Sequence, residues 1–442
     1  MKLLKTLTYL AGLLLAAALA TPKAILVRLF LWPFKLTGGA LAPILGIISG
    51  LGSVLGLARR DWKWAGTGAV GMALAAQLLQ DLPDSEAKFD AAFGPDWQRR
   101  IPASLQPRML SRRWSLVARE PGPVIWRRDV AYGKNPKTGT ILLADLWSPP
   151  PTVAPTGLSV VYVHGGGWRV GFKDMGTRPF FRCLAAQGHT ILDIEYTLAP
   201  EGDIPNMIAE IKEAVLWIKA HSDEYDLDAQ RVVLMGGSAG AHLALLAAYT
   251  ADHPSLPPLS GEGDASVRGV VAYYPPVDFL SLHQPGAEEL PRPGDGTWSP
   301  ELDRVSQAIL AKMFVLPRDE TGKQLEFRDM LSDMIGGTPD EFPEVYKLLS
   351  PIYHVGPHCP PTLLLQGTDD IFDLMPGVRR IHAELQGAGA TSILVEFPHA
   401  EHAFDLVLPR VSPVAQAATY DVERFLALLV ECGEASLQHE VA

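Results

Sequence analysis

The sequence predicts an α/β protein whose central sheet is mostly parallel and covered by helices on both faces, preceded by an apolar helical region. Three observations carry this. From Val124 onward, short apolar runs alternate with segments of helical periodicity. Within that alternation, "RVVLMGGSAGAHLALLAAYT" (Arg231 to Thr250) passes from a buried run to an Ala/Leu-rich helix through glycines that surround one serine. Third, the composition changes near residue 80: Asp61 is the only acid before that point, and charges of both signs follow at ordinary density.

The elements follow in order. "VIWRRDVAY" and "TGTILLADLW" read as a strand pair, and "LSVVYVHGGGW" as a buried strand that ends in glycines. "HTILDIEYTLAP" is a further strand, and "IPNMIAEIKEAVLWIKAH" a helix with apolar residues at helical spacing. The strand and helix around Ser238 come next, then the strand "VRGVVAYYPP". "PPTLLLQGTDDIF" is an apolar strand that empties into acids, and "TSILVEFPHAEHAFDL" a last strand followed by two histidines. Between Pro276 and Pro351 lies an insertion that the sheet does not need. In it, "SLHQPGAEELPRPGDGTWSP" is loop-like, while "ELDRVSQAILAKMFVL" and "QLEFRDMLSDMIGG" look like amphipathic helices.

In front of the sheet are three apolar segments, Leu7 to Ala20, Leu36 to Ala58 and Trp64 to Gln80. The first continues toward "AILVRLFLWPF", and the other two carry no charge. As one helix, Leu36 to Ala58 would be about 34 Å long, enough for a hydrocarbon core of ~30 Å. Gly46/Gly50 and Gly52/Gly56 are spaced for close helix contact. No amphipathic polar face is visible in these segments, so they read as membrane-anchoring helices. A rival reading takes residues 1–20 as a secretory signal peptide with cleavage after Ala20. Lys2, Lys5, Arg59, Arg60 and Lys63 would share the cytoplasmic side of a three-span bundle, which favours the large domain outside. Lys23, Arg28 and Lys35 argue the other way. Lacking an acid or histidine suited to catalysis, the first eighty residues are expected to be dispensable for the chemistry of the domain that follows.

The net charge of −11 and a pI near 5.6 argue against nucleic acid as a partner. Cys183, Cys359 and Cys432 fit neither metal-ligand spacing nor a disulfide framework and read as small apolar residues.

The chemistry concentrates around Ser238. Gly236-Gly237-Ser238-Ala239-Gly240 fits G-x-S-x-G, a nucleophile elbow that raises a serine hydroxyl above the sheet. About seventy residues earlier stands His164-Gly165-Gly166-Gly167-Trp168. With "EYTLAPE" (Glu195 to Glu201), these motifs resemble those of the hormone-sensitive-lipase-like carboxylesterases of the α/β-hydrolase superfamily, from about Val124 to Leu429. The resemblance implies an α/β-hydrolase fold with a cap insertion and the chain order Ser, Asp/Glu, His. It makes Ser238 the nucleophile and His402, in His402-Ala403-Phe404, the base. Asp370 is the orienting acid, with Asp369 as the alternative. The amides of Gly166, Gly167 and Ala239 are the oxyanion donors. His399 reads as a surface loop residue and His242 as structural. Gly237 departs from the family, many members of which carry an acid there. Neither metal nor cofactor is implied.

The domain organisation that follows is 1–80 apolar anchoring helices, 81–123 linker or part of a cap, 124–432 hydrolase domain with a cap insertion at about 277–350, and 433–442 tail. The function expected from this is that of a membrane-anchored serine hydrolase cleaving hydrophobic or lipid-like carboxylic esters through an acyl-enzyme. An amidase or peptidase with the same triad, or a catalytically inactive binding protein of the same fold, are the alternatives.

Overall fold

A computed structural model describes residues 1–22, 25–283, 300–318, 322, 325 and 329–431. The loop-like 284–299 and Cys432 lie outside the described residues, as do 432–442. Eight strands form one sheet: β1 (Ile125–Lys134), β2 (Ile141–Ser148), β3 (Ser159–Val163), β4 (Thr190–Ile194), β5 (Val232–Gly237), β6 (Gly269–Tyr273), β7 (Thr362–Gly367) and β8 (Ser392–Phe397). Their spatial order is β1-β2-β4-β3-β5-β6-β7-β8. β1 pairs antiparallel with β2, and β2 with β4, while β4, β3, β5, β6, β7 and β8 run parallel.

The helices are α1 (Lys2–Leu19), α2 (Ile25–Ala40), α3 (Ala42–Ala58), α4 (Trp62–Gln80), α5 (Glu86–Phe93), α6 (Arg178–Gln187), α7 (Ile204–Ala220) and α8 (Ala239–Tyr249). They continue with α9 (Phe279–His283), α10 (Pro300–Met313), α11 (Met330–Ile335), α12 (Pro343–Leu348), α13 (Met375–Gly387) and α14 (Pro413–Glu431). Local chemistry sets their ends. Asp203 accepts the Asn206 N–H at 2.8 Å and so caps α7, while Gly188 closes α6 at φ 115°.

Alternation along the strands builds two cores. Val161, Val163, Leu234 and Ala272 face α7, α8 and α13, whereas Val160, Val233, Met235 and Val271 face α6 and α14. Parallel strands buried on both faces read as unbroken apolar runs, which is why these strands were conspicuous in the sequence. Segment 81–123 packs on the second face. Ser85 and Arg113 hold the buried Asp421 of α14, and the Leu110 N–H donates to Glu423 at 2.7 Å. Cys183 lies on α6, its thiol pushed up to about 12 by burial.

The apolar region departs from its expected outline. Four helices replace three segments, and the continuous helix expected over Leu36 to Ala58 is broken at Leu41, where the chain bends by 78°. Gly38 and Gly39 loosen the end of α2, and Pro43 opens the first turn of α3, where its missing N–H is harmless. Among the described residues, Lys2–Leu19 is long and apolar enough to cross a membrane. Leu26–Ala40 with Ala42–Ala58 adds a second span only if the bent pair counts as one.

α1, α3 and α4 pack through their small residues. A Cβ on Gly52 would lie 2.1 Å from Thr8 Oγ1, one on Gly56 2.5 Å from the Ala65 nitrogen, and one on Gly46 2.8 Å from Ala75 Cβ. Trp64 Nε1 donates to Thr8 Oγ1 at 3.1 Å, and Lys5 pairs with Asp61, which caps α4. Leu10, Leu13, Leu51, Val54, Leu57 and Val70 point outward.

Candidate active site

The C-terminal ends of the parallel strands converge, as ligand sites do in open α/β sheets. Ser238 follows β5 and opens α8 with φ 56° and ψ −124°, a conformation that costs about 1–3 kcal/mol for a residue with a Cβ. The turn is held by the Ser238 N–H, which donates to Tyr273 O at 2.9 Å. Its glycines are sterically required: a Cβ on Gly236 would lie 2.7 Å, and one on Gly240 2.1 Å, from Val163 O. Ser238 itself is partly exposed.

The glycines after β3 lie against this turn. A Cβ on Gly165 would sit 3.3 Å from Ser238 Cβ and 2.8 Å from Gly237 O. Gly166 and Gly167 have φ of 120° and 59°; a Cβ on Gly166 would meet Val170 O at 1.8 Å, and one on Gly167 the Phe314 ring at 2.4 Å. Backbone excludes a Cβ at 166, and a side chain at 167 would have to displace the Phe314 ring. Ala239 is the first residue of α8, so its N–H is one of those that a helix start leaves without an intrahelical acceptor. These three amides therefore belong to two loops in contact around one serine.

His402 and Asp370 are joined. His402 Nδ1 lies 2.8 Å from Asp370 Oδ2, with both side chains buried. That oxygen also accepts Gln366 Nε2 at 2.9 Å, and Oδ1 accepts the Phe372 N–H at 2.9 Å. An acceptor-only carboxylate fixes the imidazole with its proton on Nδ1, which leaves Nε2 as the basic nitrogen. Asp369 turns elsewhere, its Oδ2 lying 2.7 Å from Lys35 Nζ.

Tyr274 connects the two halves. Its ring lies 4.4 Å from that of His402, and a Cβ on Gly237 would come within 3.1 Å of its hydroxyl. That hydroxyl donates to Asp405 at 2.5 Å. Burial pushes the Asp405 carboxyl up to about 6, with the Tyr274 hydrogen bond and nearby His402 acting against it. Asp405 is thus charged above pH 6 and neutral below, and only the charged form favours an imidazolium at His402. Asp405→Asn is expected to lower kcat about three- to tenfold at pH 8 and to leave it near wild type at pH 5. Paired pH–rate profiles check this.

The two other histidines separate as well. Trp168 Nε1 donates to His242 Nδ1 at 3.2 Å, so His242 donates from Nε2 to Leu349 O at 2.7 Å; buried, it is pushed down to about 4. His399 Nε2 lies 3.1 Å from Asp81 Oδ2. In the insertion, α10 and α11 form where amphipathic helices were expected, and the adjoining Phe314 stacks edge-on with Phe372, 4.7 Å from the His402 ring.

α2 has a polar face, and it rests on the loops that carry Asp370 and His402. Arg28 Nη2 donates to Asp370 O at 2.5 Å and Trp32 Nε1 to His402 O at 3.4 Å. Lys35 is buried between Asp369 at 2.7 Å and Glu401 at 3.4 Å. The first eighty residues therefore do not stand apart from the site. The available signal was Arg28, Trp32 and Lys35 at i, i+4 and i+7 in an otherwise apolar helix, a spacing that places them on one face. Asp405 and Tyr274 carry no comparable local signal.

Sheet order, elbow and glycine loop together define an α/β-hydrolase of the hormone-sensitive-lipase-like carboxylesterase type. Residues 144–374 match the BD-FAE family, and the chain belongs to that family. It is similar to "Probable carboxylic ester hydrolase LipM" of Mycobacterium tuberculosis, 27% identical over 379 residues that span 83% of this chain and 77% of that protein. Over 145 residues it is 36% identical to "Probable isoprenylcysteine alpha-carbonyl methylesterase ICMEL1" of Oryza sativa subsp. japonica, covering 32% of this chain and 31% of the other. The native structure of esterase Est2 from Thermogutta terrifontis superposes with a TM-score of 0.48 at 22% identity, over 71% of this chain and 94% of that one. The chain is a carboxylesterase-type hydrolase.

Proposed function

We propose that this protein is a membrane-anchored serine esterase acting on hydrophobic or lipid-like esters, with Ser238 as nucleophile, His402 as base and Asp370 as orienting acid. The observation that carries the reading is the 2.8 Å contact of His402 Nδ1 with Asp370 Oδ2, which Tyr274 links to the elbow that holds Ser238. Ser238 Oγ attacks the ester carbonyl carbon while its proton passes to His402 Nε2. The carbonyl electron pair moves to the oxygen, where the amides of Gly166, Gly167 and Ala239 receive it. As the pair returns, the C–O bond to the alcohol breaks, and His402 returns the proton to the leaving oxygen. Water repeats the sequence on the acyl-enzyme, releasing the acid and free Ser238.

Two features support the hydrophobic substrate class. Phe372 packs edge-on against the His402 ring with Phe314 behind it, and the outward faces of α1, α3 and α4 are apolar. The full chain is expected to leave the membrane fraction only with detergent. In detergent it should be labelled by a fluorophosphonate and hydrolyse a p-nitrophenyl ester series, with matched anilides turned over far more slowly. Recovery in the soluble fraction without detergent would remove the anchor; comparable anilide turnover would make the protein an amidase.

A further inference from the structure

α2 is where the apolar region and the site meet: besides packing on α1, α10 and α14, it reaches the loops that carry Asp370 and His402. Arg28, Trp32 and Lys35 follow one another along a single face. The first holds the peptide oxygen of Asp370, the second that of His402, and the third the side chains immediately preceding each of them in sequence, Asp369 and Glu401. Lys35 Nζ also donates to Ala20 O at 2.6 Å, which ties the end of α1 into the same knot. The Lys35 and Glu401 side chains are each 2% exposed, and that of Asp369 12%.

A lysine so buried carries its charge at a cost that only close partners offset, and here the partners are acids from two different loops. The loop after β7 carries the acid and the loop after β8 carries the base. Their 2.8 Å contact therefore has a third body pressed against its outer side. Neither loop depends on this lysine to continue the sheet, since β7 and β8 pair along their whole lengths without it. What α2 adds is the relative placement of the two loop ends.

We infer that α2 is a positioning element of the active site: Lys35, Arg28 and Trp32 hold the Asp370 and His402 loops in register, so that ester turnover depends on α2 being seated. The inference rests on the assignment of Asp370 and His402 as the working pair. It makes the apolar N-terminal region more than an anchor, because a helix continuous with it sets the geometry of the base. Displacement of a catalytic group by an ångström or less costs on the order of 10²-fold in rate, so the effect falls on kcat and leaves substrate affinity nearly alone.

The test uses the full chain in detergent and p-nitrophenyl butyrate. Lys35→Met removes the charge and keeps the length; Lys35→Arg restores the charge; Lys63→Met removes an exposed charge elsewhere in the same helical region. Lys35→Met is expected to lower kcat roughly 10- to 100-fold with KM within about twofold. Lys35→Arg should recover at least tenfold of a hundredfold loss, or about threefold of a tenfold loss, and Lys63→Met should match wild type. If Lys35→Met does not fold, Arg28→Met carries the test, since it gives up one bond to a backbone carbonyl and buries no new charge; its kcat should fall about three- to tenfold. A folded Lys35→Met with wild-type kcat, or with its loss confined to KM, overturns the inference. So does wild-type kcat in Arg28→Met when Lys35→Met cannot be obtained folded, and so does a loss that Lys35→Arg does not relieve. Failure of the underlying assignment looks different: the unaltered protein would neither turn over the ester nor take a fluorophosphonate label.

Discussion

Ser238→Ala should lose ester turnover by roughly 10⁴-fold or more and lose fluorophosphonate labelling altogether, while its unfolding transition stays close to that of the unaltered chain. The hydroxyl leaves with the substitution, and neither the elbow nor the core depends on it. The turn is held by backbone, the Ser238 N–H to Tyr273 O at 2.9 Å and the His242 N–H to Ser238 O at 3.0 Å, and alanine keeps both. Alanine also keeps the Cβ, so the strain at φ 56° is unchanged. What remains is a site that binds ester and polarises its carbonyl without a nucleophile to attack it. Titration with a fluorophosphonate, alongside kcat/KM for a short p-nitrophenyl ester, decides the matter; turnover at the unaltered level in this variant would take Ser238 out of the reaction.

Asp370→Asn is expected to have the next largest effect, about 10⁴-fold in kcat, with the affinity for a substrate analogue nearly unchanged. In the native chain Asp370 Oδ2 takes two hydrogen bonds, from His402 Nδ1 and Gln366 Nε2. An asparagine at 370 has one carbonyl oxygen and an NH₂ group to divide between the two sides. With the NH₂ toward His402, it can donate only to an unprotonated Nδ1, which moves the imidazole proton to Nε2 and removes the base. With the oxygen toward His402, it puts an N–H against the Phe372 N–H that Oδ1 accepts at 2.9 Å, leaving a buried donor unpaired. Asp369→Asn provides the contrast. Asp369 faces Lys35 and not His402, so the loss there should stay within about tenfold, through weaker seating of α2. If the larger loss comes from Asp369, the acid has been assigned to the wrong neighbour.

The amino-acid order by itself determined everything at this site that is written in a short run of residues. The elbow around Ser238, the glycines from Gly165 to Gly167, the strand-end acids and the His402-Ala403-Phe404 loop are each local strings. A tight turn, a close backbone approach or a loop after a buried strand permits few residue types, so the string reports the geometry. The parallel strands were legible for a similar reason, since burial on both faces leaves little but Val, Ile, Leu and small residues.

The tertiary structure alone decided what depends on how separate elements pack. Asp369 and Asp370 are adjacent and chemically identical; the family resemblance prefers the second, and the fold packs Lys35 on the first and His402 on the second. Asp405 and Tyr274 are ordinary until the sheet brings the end of β6 beside the loop after β8. The bend at Leu41 and the seating of α2 belong to the same class. Helical periodicity gives Arg28, Trp32 and Lys35 a common face, but it cannot say what that face meets. A helix in a bilayer and a helix docked on a catalytic loop share an apolar composition, and the difference lies in where the buried cation finds its acids.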